Sequence, residues 1–446
     1  MATASEIRLR PHLGVARVTD TNPDGSLEAA NRLLQKNHNE HHIFWRSVAG
    51  HNHVAHSVLN ILALGGGPID LQRAFDDGAD IQVPMPPLDP DAVARMSVPD
   101  QFRARMGFLD QYPNFLAFFT KEIGTKGYPA VIVEYCFSGT SIAETMFANL
   151  FEGLYHPLIH LALGIEFDQP SIVAEGLAQA ACHDSMGIEP FLLGAEKKEK
   201  TQQATIDLDA PLISLFHAVR DNNVLRTAAH GSYDNDSARV RDGILGGARE
   251  EITSIAARFR VDIDRLNRRA AEMINCAAYL AGSAQKPGKA RKIDFFHLHT
   301  VTASLGLIVL LRQPWIGAEH KARLVEWKAR VDLAWYAASG AVELRLQDIV
   351  DYEPCRGLNW EGLYQAVTRV HDDGHLAKFI RALKAGEQIS EPFERGKWAN
   401  AFPIKGPMWL RIAQMAYESS AGRPIEEKWI WGVGFEQNWA SVPSLA

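Results

Sequence analysis

Apolar residues recur three and four positions apart along most of this 446-residue chain, a spacing that places them on one face of an α-helix. The pattern predicts helices over Val54–Leu64, Ile142–Leu163, Pro170–Cys182, Pro211–Val219, Glu250–Ala281, Phe295–Leu311, Ala322–Ala338 and Trp360–Leu383. Only Val131–Tyr135 looks like a strand, and it fits a buried loop equally well. We therefore predict a mainly all-α fold.

The breaks between these segments are short. They are Gly65–Pro68, the proline-rich stretch Val83–Asp100 and Gln285–Lys289, and none is a long Gly/Ser linker. No internal repeat of fixed period is present. Because the histidine-bearing helices are scattered over the whole chain, we predict a single large helical domain over residues 1–446.

Histidine takes several positions where a packed helix normally carries Leu or Ala. Polar residues share one helical face in four segments: His53 with His56 and Asn60, His156 with His160, His299 with Thr302, and His371 with His375 and Lys378. Four helices with such stripes favour convergence on one buried site, as in the metal sites of helix bundles.

A simpler interpretation stands beside this one. A single histidine in an apolar helix is most often a core residue that needs only one hydrogen-bond partner. Repetition on four helices weakens that interpretation for the stripes. The remaining histidines require no more than surface or capping roles: His12, His38, His183, His217, His230 and His320.

The residue types narrow the chemistry of such a site. Neutral imidazole binds zinc, copper or iron. The four cysteines lie far apart without a C-x-x-C pair, which argues against structural zinc and a disulfide framework. Histidines without a thiolate pair favour a redox-active non-haem iron, which usually takes an anionic oxygen ligand. Asp372 and Asp373 are candidates, although the facial triad that His371–Asp373 imitates is typical of β-barrel strands.

Lys378 offers another source of an anionic ligand. Burial near cations lowers the pKa of a lysine, and a neutral amine can add CO2 to become a carbamate. Spacing alone favours the ordinary alternative, a lysine whose ammonium group reaches the surface.

Composition and missing motifs exclude several classes. The net charge of −7, without a basic stripe, gives no reason to expect a nucleic-acid partner. Leu298–Leu311 is too short to span a membrane. The N-terminus lacks a signal peptide, so together with the cysteine pattern the chain is predicted to be cytoplasmic. Rossmann, P-loop, zincin and nucleophile-elbow motifs are absent, and nothing indicates an oligomeric state.

Several motifs together resemble the questin oxidase-like family of fungal secondary metabolism, an atypical Baeyer–Villiger oxidase family. They are Asn37–His42, His51–His53 with His56, Leu154–His160, Lys286–Lys289 with Lys292–Phe296, and Asp373–His375 with Lys378. Two positions depart from the family pattern: Ser57, where a second histidine is expected, and His297, where an aliphatic residue is expected. The motifs extend from about residue 37 to about residue 383, so the resemblance covers most of the chain.

The resemblance implies an oxygenase that uses O2 to open a ring of an anthraquinone-type aromatic polyketide. One branch of the family is a non-haem iron dioxygenase with four histidines and a carboxylated lysine. Carried over position by position, the ligand set of that branch implies that Fe(II) is bound by His56, His160, His299, His375 and Lys378. His53, His156 and Asp373 are then candidate catalytic residues beside the metal. Two ligand choices stay open, His156 or His160 and His297 or His299, and family register favours His299.

Three other functions remain open: one is also an oxygenase, and two belong to other classes of protein. Some family members resemble cofactor-free Baeyer–Villiger-type monooxygenases that act on an NADPH-reduced quinone, with histidines as bases. The pair His371–Asp372 in an all-α chain also resembles a metal-dependent phosphohydrolase of the HD type, but no phosphate-binding cluster accompanies it. A non-catalytic helical scaffold would not need histidine on buried faces.

Overall fold

The computed structural model describes residues 1–11, 14–16, 22–46, 50–202, 207–231, 233, 235 and 238–445. Helices dominate these residues, which confirms the mainly all-α prediction. Within the described ranges, the named strands are β1 (Phe44–Arg46) and β2 (Gly50–His51), an antiparallel pair in which Phe44 lies opposite His51. None of the described helices combines the length and apolar character that a bilayer crossing requires.

The chain forms two compact units. Unit 1 comprises Met1–Ser185, Leu305–Ile316 and Tyr364–Arg381. Its helices are α1 (Ser26–Glu40), α2 (Val54–Ala63), α3 (Pro68–Ala79), α4 (Pro90–Arg95), α5 (Pro99–Arg103), α6 (Tyr112–Lys126), α7 (Tyr128–Ile132), α8 (Ser141–Asn149), α9 (Glu152–Glu166) and α10 (Pro170–Cys182), with a 3-10 helix at Leu109–Gln111 and a π-helix at Val133–Phe137.

Unit 2 comprises Met186–Ser304, Gly317–Leu363 and Ala382–Ala446. Its helices are α11 (Ile188–Gln202), α12 (Leu212–Asp221), α13 (Asn223–Ala228), α14 (Arg249–Ala256), α15 (Leu266–Ser283), α17 (Ala318–Ala338), α18 (Gln347–Val350), α21 (Met408–Ser420) and α22 (Ile425–Lys428). Shorter turns of helix are the π-helix Arg239–Ile244 and the 3-10 helices Ile263–Arg265, Glu391–Phe393, Gly396–Ala401 and Glu436–Trp439.

Three further helices divide their residues between the two units: α16 (Phe295–Leu311), α19 (Trp360–Val367) and α20 (His375–Ser390). The predicted bounds of α10 and α16 agree with the structure at both ends. The single domain over residues 1–446 stays a prediction.

The strand-like interpretation of Val131–Tyr135 is wrong. Its first two residues end α7 and the rest lie in the π-helix Val133–Phe137. Val131, Ile132 and Cys136 are buried. A short apolar run fits a buried helix as well as a strand, so the composition of this segment did not decide between them.

Three predicted helices are each divided in two: Ile142–Leu163, Glu250–Ala281 and Trp360–Leu383. The first divides where α8 ends at Asn149, and left-handed backbone at Gly153, Leu154 and Tyr155, with φ of 50°, 58° and 64°, then interrupts the start of α9. Asp262 caps a short 3-10 helix at the second break, and Gly374 has a φ of 89° at the third. Apolar spacing continues across all three breaks, so periodicity alone could not locate them.

Close packing of α9 on α10 organises the interior of unit 1. A Cβ atom at Gly176 would lie 2.6 Å from the backbone nitrogen of Leu161, and one at Gly164 would lie 2.6 Å from that of Val173. Glycine at both positions therefore permits the two backbones to approach. This approach carries Glu175 of α10 to His160 of α9.

Candidate functional site

Five histidines of unit 1, together with Lys378, form what we call the histidine cluster: His53, His56, His156, His160 and His375. Ring centroids are 4.8 Å apart for His53 and His156, 4.6 Å for His53 and His375, and 5.2 Å for His56 and His160. All are buried except His53, which is half-buried. The predicted gathering of histidines from separate helices is thus confirmed for α2, α9 and α20.

The start of α2 positions His53 and His56. Oδ1 of Asn52 accepts a hydrogen bond from the backbone N–H of Val54 over 2.9 Å and so satisfies one of the unpaired donors at the helix N-terminus. His53 is the last residue before the helix, and His56 lies within its first turn. Both imidazoles therefore emerge at the same end of α2.

A left-handed turn explains how His156 enters the cluster. Gly153, Leu154 and Tyr155 have left-handed backbone, and His156 directly follows this turn. Nδ1 of His156 donates to the carbonyl of Gly153 across the turn. With its proton on Nδ1, neutral His156 carries its lone pair on Nε2.

His375 begins α20 and is held in a similar way. Nδ1 of His375 donates to Oδ1 of Asp373 over 2.7 Å, which leaves the lone pair on Nε2. Asp372 accepts from the backbone N–H of Leu376 over 2.8 Å and caps the helix. Gly374 packs against Ser57, where an added Cβ would lie 2.3 Å from the hydroxyl oxygen. The serine that departs from the family pattern therefore lies where α20 begins against α2.

The predicted helical face of His371, His375 and Lys378 is wrong in one member. His371 precedes α20, its side chain is 80% exposed, and its Nδ1 contacts Oδ1 of Asp77 at 2.7 Å. Gly374 ends the preceding turn with left-handed backbone, so a helix through His371 does not form. His371 is therefore a surface residue outside the cluster.

Three members of the cluster converge as metal ligands do. Among the described residues, one ligand atom each of His53, His156 and His375 lie within 4.8 Å of one another. Nε2 of His53 and Nε2 of His156 are 2.7 Å apart. Because His156 and His375 give their Nδ1 protons to oxygen acceptors, they present Nε2 lone pairs, as metal-binding histidines usually do.

A second row of contacts extends from Lys378 to His38. Nζ of Lys378 lies 3.3 Å from Nδ1 of His56, and Nε2 of His56 lies 3.2 Å from Nδ1 of His160. Nε2 of His160 contacts Glu175 at 2.7 Å, and Nδ1 of His38 contacts the other oxygen of Glu175 at 2.5 Å. We call this row the Glu175 chain.

Burial favours the uncharged form of two imidazoles in the cluster. It lowers the pKa of His53 and of His56 well below the usual 6.5, and the nearby Lys378 lowers both further. Burial also lowers the pKa of Lys378 to about 8, although Asp373 and Asp372 oppose the shift. The site therefore offers neutral imidazoles at His53 and His56 and an amine that loses its proton at about pH 8.

Two histidines that the sequence interpretation left at the surface are part of this interior. The side chain of His38 is 8% exposed and contacts Glu175. His183 is buried, and its Nε2 lies 3.0 Å from Nε2 of His51, whose ring stacks on His156 at 3.9 Å. A surface role is therefore wrong for both, because long-range contacts that sequence spacing does not reveal bury them, whereas the capping role is confirmed for His183, which is the C-cap residue of α10.

The other histidines fall outside the cluster as described. His217 and His230 are exposed, and His12 lies outside the described residues. His299 is buried in the unit 2 part of α16, with its Nδ1 donating to the carbonyl of Phe295 over 2.7 Å. The choice between His299 and the equally buried His297 stays a prediction, as do the metal and catalytic roles of all the named residues.

Glu175 is the site residue that sequence reasoning missed. It is the one acidic residue in α10, whose other members are small, apolar or amide residues. A lone acid within an apolar helix is a signal of a buried charge with a specific partner, because burying an unpaired carboxylate is costly. That signal was present in the sequence.

Comparisons with known proteins agree with these observations. The sequence profile described as questin oxidase-like matches residues 50–383. A questin oxidase of Aspergillus fumigatus is 82% identical over 445 residues, covering 100% of both chains. A questin oxidase of Aspergillus terreus is 60% identical, and Baeyer–Villiger oxidase ptaJ of Pestalotiopsis fici is 54% identical, each covering 100% of this chain and 99% of the relative. The chain therefore belongs to the questin oxidase-like family and is an oxidoreductase.

Proposed function

We propose that this protein is an oxygenase that cleaves a C–C bond in the quinone ring of an anthraquinone-type polyketide, with the histidine cluster as its reaction centre. The observation that carries the proposal is the convergence of His53, His156 and His375 in a chain whose relatives at 82% and 60% identity are named questin oxidases. These names favour an anthraquinone-type substrate.

The donor set fits iron. His53, His156 and His375 supply three imidazole nitrogens, and oxygen acceptors hold the opposite nitrogens of His156 and His375. The resemblance adds His56, His160, His299 and Lys378 as ligands beside His375. Bound Fe(II) would supply the redox chemistry that activates O2. Ligation by His56 and His160 through their facing nitrogens requires that neither nitrogen carry a proton.

Lys378 is the source of an anionic ligand in this proposal. The neutral amine attacks CO2, an N–C bond forms, and one N–H proton leaves to give a carbamate. Burial supports this step, because it lowers the pKa of Lys378 to about 8 and so populates the neutral amine. The carbamate would then take the place of the carboxylate ligand that non-haem iron usually has.

A metal-free reaction is the second candidate, and the names of the Baeyer–Villiger relatives favour it. NADPH would reduce the quinone, and His53 or His156 would take a phenolic proton from the reduced substrate. One atom of O2 would enter the product and the other would leave as water. The dioxygenase instead places both oxygen atoms in the product.

Isotope labelling and metal analysis test the two candidates together. Purified protein is supplied with a hydroxyanthraquinone and 18O2, with and without NADPH, and its iron content is measured. Near one iron per chain, two labelled atoms and no need for NADPH support the dioxygenase. One labelled atom, dependence on NADPH and resistance to chelators support the metal-free enzyme. Absence of oxygen uptake with either electron supply contradicts ring cleavage itself.

Matched variants test the ligand set. Loss of iron in His53→Gln and His156→Gln, with iron retained in His56→Gln and His160→Gln, supports the triad described above. Loss of iron in the His56 and His160 variants, with iron retained in the His53 and His156 variants, supports the ligand set implied by the resemblance. His371→Gln is the control, because His371 is exposed and bound to Asp77.

The proposed location is the cytosol. Its support is that the four cysteines are unpaired, with Cys355 exposed, and free thiols persist in a reducing compartment. A fluorescent fusion found instead in a secretory compartment would contradict this location. The partner implied by the reaction is a small aromatic molecule.

A further inference from the structure

Residues 368–373 lead into α20 and are held against α3, a helix that carries no member of the histidine cluster. Nη2 of Arg73 on α3 donates to the carbonyl of Thr368. One turn later on α3, Oδ2 of Asp77 accepts a hydrogen bond from the backbone N–H of Asp372 over 3.0 Å. Because residues four positions apart share one face of a helix, Arg73 and Asp77 hold this segment at two points from the same side of α3.

The backbone at Asp372 supports His375 in two ways. The side chain of Asp372 accepts the backbone N–H of Leu376 over 2.8 Å and so fixes the first turn of α20. The next residue, Asp373, accepts a hydrogen bond from Nδ1 of His375 over 2.7 Å. Both side chains are short and branch from consecutive residues, so neither carboxylate keeps its place if the backbone between them moves. The direction of the His375 ring therefore depends on where the backbone of Asp372 lies.

The two oxygens of Asp77 make contacts of unequal weight. Oδ1 lies 2.7 Å from Nδ1 of His371, whose side chain is 80% exposed, so solvent competes for that contact and it contributes little. Oδ2 binds the main-chain N–H of Asp372 at a half-buried position, where a donor that loses its acceptor is costly to leave unpaired. The contact with Asp372 is therefore the one that holds the segment in place.

We propose that Asp77 is a positioning residue of the site: from a helix that carries none of the cluster, it holds through the N–H of Asp372 the residues that orient His375. The consequence for catalysis rests on the proposed function, because the direction of the His375 ring matters to turnover only if the cluster is the reaction centre. The placement of residues 371–373 does not depend on that function and is measured separately.

Amide hydrogen exchange of the full chain, followed by mass spectrometry, measures this placement without reference to activity. Asp77→Ala removes the acceptor, and Asp76→Ala, at the exposed neighbour on α3, makes the same change of charge as the matched control. We expect the amides of Asp372 and Leu376 to exchange about 10-fold faster in Asp77→Ala than in Asp76→Ala. Asp77→Asn, whose amide oxygen can still accept this N–H, should restore most of the protection. Equal exchange in the two alanine variants would overturn the proposal.

Steady-state kinetics and iron content test the consequence for the site. We expect Asp77→Ala to lower kcat and iron retention per folded chain about 10-fold with little change in KM, and Asp77→Asn to recover most of both. His371→Gln keeps the contact between Asp77 and Asp372 and should behave as wild type. Full kcat and iron content in Asp77→Ala would overturn the positioning role. Inactive wild-type protein together with the expected exchange would support the placement of the segment and count against the proposed function alone.

Discussion

Nδ1 of His375 donates a hydrogen bond to Oδ1 of Asp373 over 2.7 Å. The contact spans only two residues and fixes the ring of the first residue of α20. Its effect is to direct Nε2 of His375 toward His53, whose ring centroid lies 4.6 Å away. An acidic residue that touches only one nitrogen of a histidine thereby determines what the other nitrogen offers.

Asp373→Ala should therefore reduce activity without unfolding the protein. Removal of the acceptor releases the ring of His375 and its tautomer, and the loss of such a supporting contact typically costs about 10- to 100-fold in activity or metal affinity. Steady-state oxygen uptake and iron content measure the effect. Asp80→Ala, at an exposed residue after α3, is the charge-matched control. Equal activity in the two variants would contradict a role for Asp373.

Lys378→Ala should cost metal content and turnover, because it removes the amine that forms the proposed carbamate. A small carboxylate such as acetate should restore part of both by entering the space left by the side chain. Lys384→Ala is the control, since Lys384 lies on the same helix and pairs with Glu387. Retained iron and full activity in Lys378→Ala would refute the carbamate.

Gly153→Ala should destabilise the protein and disturb the cluster together. Gly153 has a φ of 50°, and an added Cβ would lie 2.2 Å from Nε2 of His183 and 2.7 Å from Nε2 of His51. Left-handed backbone costs an L-residue about 1 kcal/mol before any clash. The melting temperature and the rate of oxygen uptake should both fall.

Gly124→Ala is the matched control for that substitution. Gly124 lies within α6, and an added Cβ would meet no atom within 4 Å. Alanine in an open helical position typically stabilises by about 0.5–1 kcal/mol. A melting temperature of Gly153→Ala equal to that of Gly124→Ala would show that the left-handed turn tolerates a side chain.

Glu326 should make the stability of the protein fall as pH rises. Burial raises the pKa of Glu326 to about 7, with Arg330 opposing the shift and Glu199 adding to it. Between pH 4.5 and 7 the folded protein retains a proton that the unfolded chain has released, so the free energy of unfolding decreases through this window. The decrease should be on the order of 3 kcal/mol.

Glu326→Gln should remove that pH dependence. Its amide oxygen can still accept the backbone N–H of Val261, which lies 2.7 Å from Glu326, and it has no proton to release. Denaturant unfolding at several pH values measures the difference, with Glu361→Gln, an exposed residue of α19, as control. Parallel curves for wild type and Glu326→Gln would show that Glu326 does not titrate in this range.

The sequence alone determined the helical character of the chain, the histidine stripes and the family motifs. Local spacing suffices for these, because helical periodicity places His156 and His160, four residues apart, on one face whatever surrounds them. The separation of Asp373 and His375 by only two positions also places these residues close together. Hydrophobic periodicity found α10 and α16 to the residue, since apolar residues predominate in both and both end at clear boundaries.

Only the tertiary structure decided which of these groups meet. The left-handed turn at Gly153 and the start of α20 at His375 leave the apolar pattern unchanged, so sequence spacing kept His371 in a stripe that it does not join. Glycines let α9 and α10 approach, which brings Glu175 to His160, and Glu175 also meets His38 of α1 across 137 positions of sequence. Long-range contacts of this kind depend on how helices pack, and the free energy of packing is shared among many residues rather than written in any one segment.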